Sequence, residues 1–386
     1  MKLLFIHDHP FYSENGIVYS GGGLPSFVWR NYLIFFNLVT VYGRKSQHLK
    51  DKKKISSTEF VNFKLTTNYN SFLDAFFKYS LISAELKKEI DNTDIVLVRL
   101  PSVLGFCAAD IAIKNNKKII VEQVGNAKEA MSTQGSFLGK IAAPFFEAIN
   151  KRIVKKADYI SYVTLSKLQT DYPSPAFQTS ISNVLIERVC NPSDLNLNRF
   201  NNQKIKIGVI GGFDVRYKGQ NIVLKAVALL SNEIKKQIEL YFVGKGNSEW
   251  LLEESKKLGL SNNIKFMGPK ESGDEIFQFL KILSIYIQPS FTEGMPRALL
   301  ESMSMGCPVL GSTVGGIPDV ISKEFLHTPG DYRKLSKQIN LLIENRKLME
   351  NEAIRSLETV KPFQKDKLDE KRKAFYTQIL NDLQNA

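Results

Sequence analysis

Cysteine and long apolar runs are scarce in this chain of 386 residues. Its three cysteines, Cys107, Cys190 and Cys307, lie far apart and are odd in number, so neither a disulfide framework nor a zinc site is predicted. No uncharged run reaches the roughly 20 apolar residues that a membrane span requires. The start, MKLLFIHDHP, is too short in apolar residues for a secretory signal, so the sequence predicts a cytoplasmic protein.

Several motifs that define large enzyme classes are also missing. There is no G-x-x-x-x-G-K-[ST] match, so a P-loop NTPase is unsupported. No G-x-G-x-x-G follows the first predicted strand, which argues against an NAD-dependent dehydrogenase. His7, Asp8 and His9 are adjacent on that strand and point to alternate faces, so they are not expected to hold a metal ion together.

The composition is that of a globular protein with an excess of basic residues. Lys and Arg number 52 against 39 Asp and Glu, and the formal net charge is +13. A basic protein can attract nucleic acid, an anionic membrane or a phosphorylated substrate. The charge is spread thinly and no helix-turn-helix, finger or RNP-like motif occurs, so no nucleic-acid partner is expected, and a basic nucleic-acid-binding protein is only the less favoured alternative.

The first half predicts a parallel sheet covered on both faces. The strand KLLFIHD is followed by a turn containing Gly21, Gly22 and Gly23, and then by an apolar segment, 24–36, long enough for a helix. Apolar runs at 94–100, 118–124 and 158–164 then alternate with helical patterns near 70–90, 102–115 and 135–156. This alternation is typical of α/β folds.

The pattern restarts in the second half, which predicts a second α/β domain. After a strand near 205 and a helix over 220–230, apolar runs at 238–244, 263–268, 283–290 and 308–312 read as strands. We therefore predict two Rossmann-like domains: 1–190, an Asn-rich linker over 191–203, and 204–364. In residues 365–386, Leu368, Phe375, Ile379 and Leu383 recur at helical intervals, which indicates an amphipathic terminal helix.

The segment QPSFTEGMPRALLES, 288–302, predicts a strand, a loop and a helix that begins near Pro296. The free backbone N–H groups of Gly294 and Met295 would lie at the positive end of that helix. The carboxylates of Glu293 and Glu301 suit sugar or ribose hydroxyls as hydrogen-bond acceptors. From spacing alone, the alternative is an exposed helix that carries two glutamates.

Two glycine turns precede this segment. In GVIGGFDVRYKGQN, 208–221, Gly211 and Gly212 permit a tight turn, and Arg216 and Lys218 place two cations at the start of the next helix, which suits a diphosphate. The alternative is a structural turn with exposed basic residues. Gly244 and Gly246 form a similar turn after the next strand.

The order of these elements resembles the family 4 retaining glycosyltransferases of the GT-B fold, of the type that builds bacterial surface polysaccharides. The resemblance rests on the Lys218-Gly219 helix start, the V-G-x-G turn at 243–246 and an E-x7-E motif from Glu293 to Glu301. It implies two Rossmann-like domains with a deep cleft between them and a C-terminal helix that packs back toward the first domain. It also implies that the first domain binds the acceptor and the second binds the nucleotide sugar.

The resemblance further implies a set of residue roles. Lys218, aided by Arg216, would neutralise the donor diphosphate, Glu293 would contact the donor sugar, and Glu301 would hold the ribose. The remaining donor contacts would come from backbone in the glycine turns and in the loop before the helix: Gly211, Gly212, Gly244, Gly246, Gly294, Met295 and Pro296's neighbours. The loop of Gly21, Gly22 and Gly23 would approach the donor phosphates or the acceptor, unless it is a simple turn.

The implied reaction moves a sugar from a nucleotide-diphosphate sugar to a saccharide or lipid-linked saccharide. No D-x-D motif, the cation clamp of the other common glycosyltransferase architecture, occurs, so a metal-independent enzyme without a cofactor is expected. No nucleophile for double displacement is evident, which favours front-face attack.

Two departures from the family leave residue roles open. Gly212-Phe213 occupies the place where members often carry an Arg, so the role of Arg216 is open. VEQVGN, 121–126, lacks the His that many members present, and only Glu122 and Asn126 are candidates there.

Two further alternatives stay open from the sequence. A GT-B sugar-nucleotide epimerase would share these motifs. The predicted helix within 135–158 combines apolar residues with a basic end. It either forms a peripheral contact with the anionic inner face of the plasma membrane or packs on the core with its lysines in solvent.

Overall fold

A computed structural model describes residues 1–21, 23–47, 54–66, 78–132, 137–271 and 273–385. The chain divides into two compact units: unit 1 comprises Met1–Ile181 and Asp369–Ala386, and unit 2 comprises Ser182–Leu368. The segment predicted as a linker, 191–203, lies inside unit 2. It is anchored there because Arg199 and Phe200 are buried and the Arg199 guanidinium donates to the carbonyl of Met305.

Unit 1 contains a sheet of nine strands in the part of the chain that is described. The strands are β1 Lys2–Glu14, β2 Ile17–Ser20, β3 Leu38–Lys45, β4 Lys54–Ile55, β5 Val61–Thr66, β6 Ile95–Leu100, β7 Ile119–Gln123, β8 Tyr159–Tyr162 and β9 Phe177–Ser180. Its parallel part has the order β5-β3-β1-β6-β7-β8-β9.

The beginning of unit 1 differs from the predicted strand, loop and helix. β1 runs on to Glu14 and turns back at Asn15 and Gly16, both with positive φ, into the antiparallel strand β2. An Asn-Gly pair favours this kind of tight hairpin. The predicted helix over 24–36 was wrong: the segment forms a 3-10 turn, Ser26–Val28, and a one-turn helix, α1 Arg30–Leu33.

Five more helices of unit 1 lie between residues 79 and 171 in the described part of the chain. They are α2 Tyr79–Asp91, α3 Val103–Lys114, α4 Ala127–Ser132, α5 Phe137–Lys156 and α6 Lys167–Asp171. The side chains of α2, α3 and α5 pack on one face of the sheet, against Leu4, Ile6 and Val98. The opposite face, with Phe5 and Leu97, packs against the segment around α1. Both faces of the sheet are therefore covered, as a parallel sheet requires.

Unit 2 is a six-stranded parallel sheet with helices between the strands. The strands are β10 Ile205–Ile210, β11 Ile238–Val243, β12 Ile264–Phe266, β13 Ile285–Gln288, β14 Val309–Ser312 and β15 Leu326–His327. The helices are α7 Gln220–Ala228, α8 Asn232–Gln237, α9 Glu249–Lys257, α10 Asp274–Lys281, α11 Arg297–Ser304, α12 Tyr332–Glu344 and α13 Arg346–Val360. The sheet order is β12-β11-β10-β13-β14-β15.

The last helix, α14 Lys365–Gln384, belongs mainly to unit 1. Its buried Phe375, Tyr376 and Ile379 join the cluster that contains Phe5 and Leu97. The predicted return of the terminal helix to the first domain is confirmed. None of the helices in the described ranges is long and apolar enough to cross a membrane.

Both sheets reverse their strand order at one place. In each, the chain adds strands on one side of its first strand and then crosses to the other side, so the reversal lies between β1 and β6 in unit 1 and between β10 and β13 in unit 2. Loops that leave the carboxyl ends of such strand pairs diverge and leave a crevice, where open α/β sheets bind ligands. We call these two places the switch points.

Candidate active site at the switch point of unit 2

Two loops meet at the switch point of unit 2. One leads from β10 to α7 and ends in a 3-10 turn, Arg216–Lys218, and the other leads from β13 to α11. The Phe291 N–H donates to the Tyr217 carbonyl at 2.8 Å and ties the loops together. Gly219 has φ of +71°, and a Cβ there would lie 2.2 Å from the carbonyl oxygen of Pro289. The close approach of the two loops therefore requires glycine at 219.

Lys218 and Glu293 form the centre of the site. Lys218 Nζ lies 2.7 Å from Glu293 Oε1, and the two side chains are 22% and 10% exposed. Gln288 Nε2 and Ser290 Oγ donate to the same oxygen at 3.0 and 2.7 Å. Three donors thus converge on Oε1, which fixes the carboxylate and holds the lysine charge at the carboxyl end of β13.

A fully buried tyrosine, Tyr286, orients the amide of Gln288 in this network. Tyr286 Oη donates to Gln288 Oε1 at 2.6 Å, which leaves the amide nitrogen of Gln288 to face Glu293. Burial raises the pKa of Tyr286 well above its usual value, and the charges of Glu293 and Glu301 add to the effect. The phenol therefore stays protonated and remains a donor.

The sequence interpretation missed the supporting residues Tyr286, Gln288 and Ser290. Their signal was available, because residues two apart on a strand share a face. The face on which they lie ends at the carboxyl end of a buried strand, where polar residues are otherwise unexpected.

The glycine turns pack backbone on backbone. The Gly211 N–H donates to the Val243 carbonyl at 2.9 Å, and a Cβ on Gly244 would lie 2.1 Å from the Gly211 oxygen. A Cβ on Gly211 would meet the stem of Lys218 at 3.0 Å, whereas one on Gly212 would meet only ordinary contacts. Gly244 and Gly211 are therefore needed for packing beside Lys218.

The second glycine of the V-G-x-G turn, Gly246, has a different role from Gly244. Gly246 has φ of +103°, and a Cβ there would collide with the carboxylate of Asp214. That carboxylate accepts from the backbone N–H of Asn247 at 3.0 Å. Gly246 therefore shapes its own turn.

The loop before α11 keeps backbone donors available. Pro296 is the N-cap residue of α11 and Met295 is buried. The Gly294 carbonyl accepts from Gly316 N–H at 2.6 Å, which braces the loop. The N–H groups of Gly294 and Met295 have no acceptor among the described residues. They remain free to donate to an anionic ligand at a helix start.

Glu301 lies on α11 and is buried. Burial raises the pKa of its carboxyl group; Arg297 opposes the shift and Glu187 adds to it. Within the described residues its carboxylate has no hydrogen-bond donor, so it can accept from ligand hydroxyl groups.

Arg216 stacks on the ring of Trp250 and has no contact with Glu293 among the described residues. Its guanidinium carbon lies 3.5 Å from the centroid of the Trp250 ring, and the Trp250 indole N–H donates to the Phe213 carbonyl at 3.0 Å. The structure therefore brings Lys218, Glu293 and the glycine turns together, but it places Arg216 on the face of a tryptophan.

The candidate residues of the first half lie in unit 1. Gly22 is outside the described residues, and Gly23 lies against the ring of His9, which contacts Ser20 Oγ at 2.7 Å through Nε2. Glu122 accepts from Tyr32 Oη at 2.7 Å. Asn126 caps α4 by accepting from the Glu129 N–H, so its side chain has a structural function.

Comparison with known proteins places this geometry in a family. The model of the family "Glycosyl transferases group 1" matches residues 194–356, which include both loops of the unit 2 switch point. Protein CapJ of Staphylococcus aureus is 37% identical over 390 residues, covering 99% of this chain and 97% of CapJ. The chain belongs to the group 1 glycosyltransferases. It is accordingly an enzyme, as the sequence predicted.

Two further comparisons extend this result for the glycosyltransferase. The capsular polysaccharide biosynthesis glycosyltransferase CapH of Staphylococcus aureus is 22% identical over 259 residues, 66% of this chain and 69% of CapH. The crystal structure of Anabaena HepE in complex with UDP covers 100% of both chains with a TM-score of 0.65 and 16% identity. HepE has also been solved with UDP-glucose, with a TM-score of 0.63, 17% identity and 100% coverage of both chains. The predicted GT-B fold is confirmed.

Proposed function

We propose that this glycosyltransferase moves a sugar, with retention of configuration, from a nucleotide-diphosphate sugar to a saccharide or lipid-linked saccharide in surface polysaccharide synthesis. The observation that carries the proposal is the Lys218–Glu293 pair at the switch point of unit 2. The UDP and UDP-glucose complexes of HepE support a nucleotide-sugar donor. The similarity to CapH, a capsular polysaccharide biosynthesis glycosyltransferase, supports a polysaccharide product.

The negative charge that grows on the leaving diphosphate is the main electrostatic demand of the reaction. Lys218 and the free N–H groups of Gly294 and Met295 provide donors that are already oriented, so little reorganisation is needed in the transition state. Because these groups supply the positive field, we propose a metal-independent reaction without a cofactor. Activity that survives EDTA supports this point, and activity that depends on added Mg²⁺ contradicts it.

Glu293 and Glu301 bind different parts of the donor, the sugar and the ribose respectively. Three protein donors occupy Oε1 of Glu293, so its second oxygen is the one that accepts from a hydroxyl of the donor sugar. Glu301, without a protein donor among the described residues, accepts from the ribose hydroxyls.

Retention follows from front-face attack. The bond between the anomeric carbon and the diphosphate oxygen breaks, the acceptor oxygen bonds to the same face of that carbon, and the departing phosphate oxygen takes the acceptor's proton. Glu293 is engaged by Lys218, Gln288 and Ser290, which makes it a poor nucleophile for a covalent intermediate. A trapped glycosyl-enzyme or an inverted product contradicts this mechanism.

The exposed face of α5 suits a peripheral membrane contact on the cytoplasmic side, where a lipid-linked acceptor lies. Ile141 and Phe145 are each 61% exposed and one helical turn apart, and Lys151 and Arg152 follow on the same helix. Pairs with Glu147 and Asp110 offset part of the positive charge, so the apolar residues carry the larger share of the contact.

The membrane contact can be tested with vesicles. The double variant I141S/F145S should lose co-sedimentation with vesicles that contain phosphatidylglycerol, while wild-type binding rises with the anionic lipid. Binding that stays flat as anionic lipid increases contradicts the membrane contact and leaves the transfer reaction untouched.

The donor is tested by thermal shift with UDP-, GDP-, ADP- and dTDP-sugars. A ligand at about 100 times its Kd stabilises the folded state by about 2.7 kcal/mol, so the correct donor should stand out. Product analysis with and without an acceptor separates transfer from the alternative, a sugar-nucleotide epimerase, which alters the donor sugar without any acceptor. Stabilisation by generic DNA and by none of the nucleotide sugars contradicts the proposal.

A further inference from the structure

The switch point of unit 1 carries a polar layer on a face that is otherwise apolar. Strand register places Val41, Phe5, Leu97, Ile120 and Tyr159 side by side in one buried layer. Two residues further along the strands, on the same face, the next layer contains His7, Arg99, Glu122 and Ser161. This layer comes directly after the last paired residues of β1 and β6, Ile6 and Val98, at the place where the strand order reverses.

Arg99 is the cation of this layer, and its protein partners use only one side of the guanidinium. Its side chain is 15% exposed, and Nε lies 3.4 Å from Glu122 Oε2. The other oxygen of Glu122 accepts from Tyr32 Oη at 2.7 Å, which holds the carboxylate on that side. Within the described residues, the terminal nitrogens of Arg99 have no acceptor.

The side chain of His7, the neighbour of Arg99 across the strand pair, likewise has no hydrogen-bond partner in the described part of the chain. Its Nδ1 is buried and has no hydrogen bond to any described residue. Burial, and then the positive charge of Arg99, lower the pKa of His7 well below its usual value, so the ring is neutral at pH 7. A neutral imidazole beside a guanidinium adds a hydrogen-bonding group without adding charge.

From this juxtaposition we infer that Arg99 and His7 bind an oxyanion, a carboxylate or a phosphate, carried by the acceptor. The inference rests on the proposed function and on the expectation, implied by the family resemblance, that the first domain binds the acceptor and the second binds the nucleotide sugar. The guanidinium fork binds planar or tetrahedral oxyanions through two parallel N–H groups, and its geometry distinguishes Arg from Lys. The acceptor is therefore an acidic or phosphorylated saccharide.

The test measures binding of three sugars that differ in one group. D-glucuronate, D-glucose 6-phosphate and D-glucose are titrated by ligand-observed NMR into the full chain saturated with UDP. We expect at least one charged sugar to bind about tenfold more tightly than glucose, on the scale of one charge-assisted contact. The charged sugar that binds better identifies the oxyanion as a carboxylate or a phosphate.

Variants assign the preference to Arg99. R99Q should reduce binding of the charged sugar to the level of glucose, and R99K should restore only part of it because the fork is lost. R30Q makes the same change of charge at an exposed arginine of unit 1 and should keep the full preference. The Kd for UDP should be the same in all three variants.

Several outcomes overturn the inference. These are equal binding of charged and neutral sugars, no binding of either charged sugar, or a full preference in R99Q. A loss of UDP binding in R99Q as large as that in K218A would place Arg99 in the donor site and also overturn it. Failure of the wild-type chain to bind any nucleotide would instead contradict the proposed function, so the two failures are distinguishable.

Discussion

The two switch points have the same topology and opposite states of pairing. In unit 2, Lys218 is paired with Glu293, and Gln288 and Ser290 donate further hydrogen bonds to the same carboxylate oxygen. In unit 1, Arg99 contacts its carboxylate at 3.4 Å through Nε alone, and the adjacent His7 has a buried nitrogen without a partner in the described chain. The order of the strands determines where a crevice forms, and the residues after the strands determine its chemistry.

The difference in how Lys218 and Arg99 are paired is consistent with the proposed roles of the units, donor binding in unit 2 and acceptor binding in unit 1. A diphosphate is common to many sugar donors, so a site for it can be fully assembled before binding, at little reorganisation cost. Acceptors differ from one another, and a partly buried guanidinium without acceptors at its terminal nitrogens is satisfied only when a particular ligand arrives. The comparison therefore predicts that substitutions in unit 2 affect turnover on all substrates, whereas those in unit 1 affect the choice of acceptor.

The largest expected effect comes from Lys218→Ala. Turnover should fall about 100-fold or more while the fold is retained, on the scale of losing one preorganised charge partner. The measurement is kcat with the donor identified by thermal shift, together with the Tm of the free enzyme. Lys225→Ala is the matched control, since its side chain is 38% exposed and its carboxylate partner, Glu254, is 3.8 Å away. Near-normal turnover in K218A would remove Lys218 from the site.

A second prediction concerns acid stability in unit 2, where His327 is buried. Burial lowers its pKa from the ordinary 6.5 to about 4, against smaller opposing effects of Gln338 and Asp331. The unfolded chain therefore takes up a proton at higher pH than the folded chain, and stability falls as the pH drops from 6.5 toward 4. A shift of this size corresponds to about 3 kcal/mol.

Urea unfolding at pH 7, 6, 5 and 4.5 checks this prediction. His327→Phe removes the titrating group, so its stability should depend less on pH across this window than that of the wild type. His9 in unit 1 also has its pKa lowered to about 4, by burial and then by Arg99 and Arg44, and it should retain its share of the acid sensitivity in the variant. Identical pH profiles for wild type and H327F would contradict the assignment.

The third prediction compares Gly219, which follows Lys218, with Gly212 in the glycine turn after β10. Gly219→Ala forces a Cβ into the Pro289 carbonyl at positive φ, and it should cost about 2 kcal/mol of the free energy of unfolding and weaken UDP binding. Gly212→Ala, whose Cβ would meet its nearest atoms at 3.7 Å, should change stability by less than about 1 kcal/mol. Equal costs in urea unfolding would show that the approach of the two loops is not tight.

Much of unit 2 could be predicted because its strands are buried on both faces and appear as continuous apolar runs between glycine turns. The pair of Lys218 and Glu293 could be named from the motif, but their hydrogen bonds depend on β13 lying beside β10. The helix predicted to reach 230 ends at Ala228. Terminal residues of this kind depend on packing and are the hardest to place from sequence.

Unit 1 was less predictable for identifiable reasons. Asn15 and Gly16 favour a tight hairpin, and the prediction of a strand, a loop and a helix over the first 36 residues did not take them into account. The Asn-rich composition of 191–203 indicated a linker, while Arg199 and Phe200 inside it anchor the segment to unit 2. Arg99 and His7 are neighbours only because β6 pairs with β1, which no local spacing reveals.

The smallest expected effect belongs to Arg216, and it sharpens the contrast within unit 2. Its guanidinium rests on Trp250 at 3.5 Å, so Arg216→Ala should lose about 1 kcal/mol of stability from the cation–π contact. Turnover should fall by less than about threefold, under 1 kcal/mol of activation free energy. If Arg216 acts only through the ring, R216A and Trp250→Leu should be non-additive in urea unfolding. A fall in kcat comparable to that of K218A would mean that the guanidinium leaves Trp250 during turnover and joins Lys218 at the diphosphate. Unit 2 would then, like unit 1, contain a cation that contacts its ligand only after the ligand has bound.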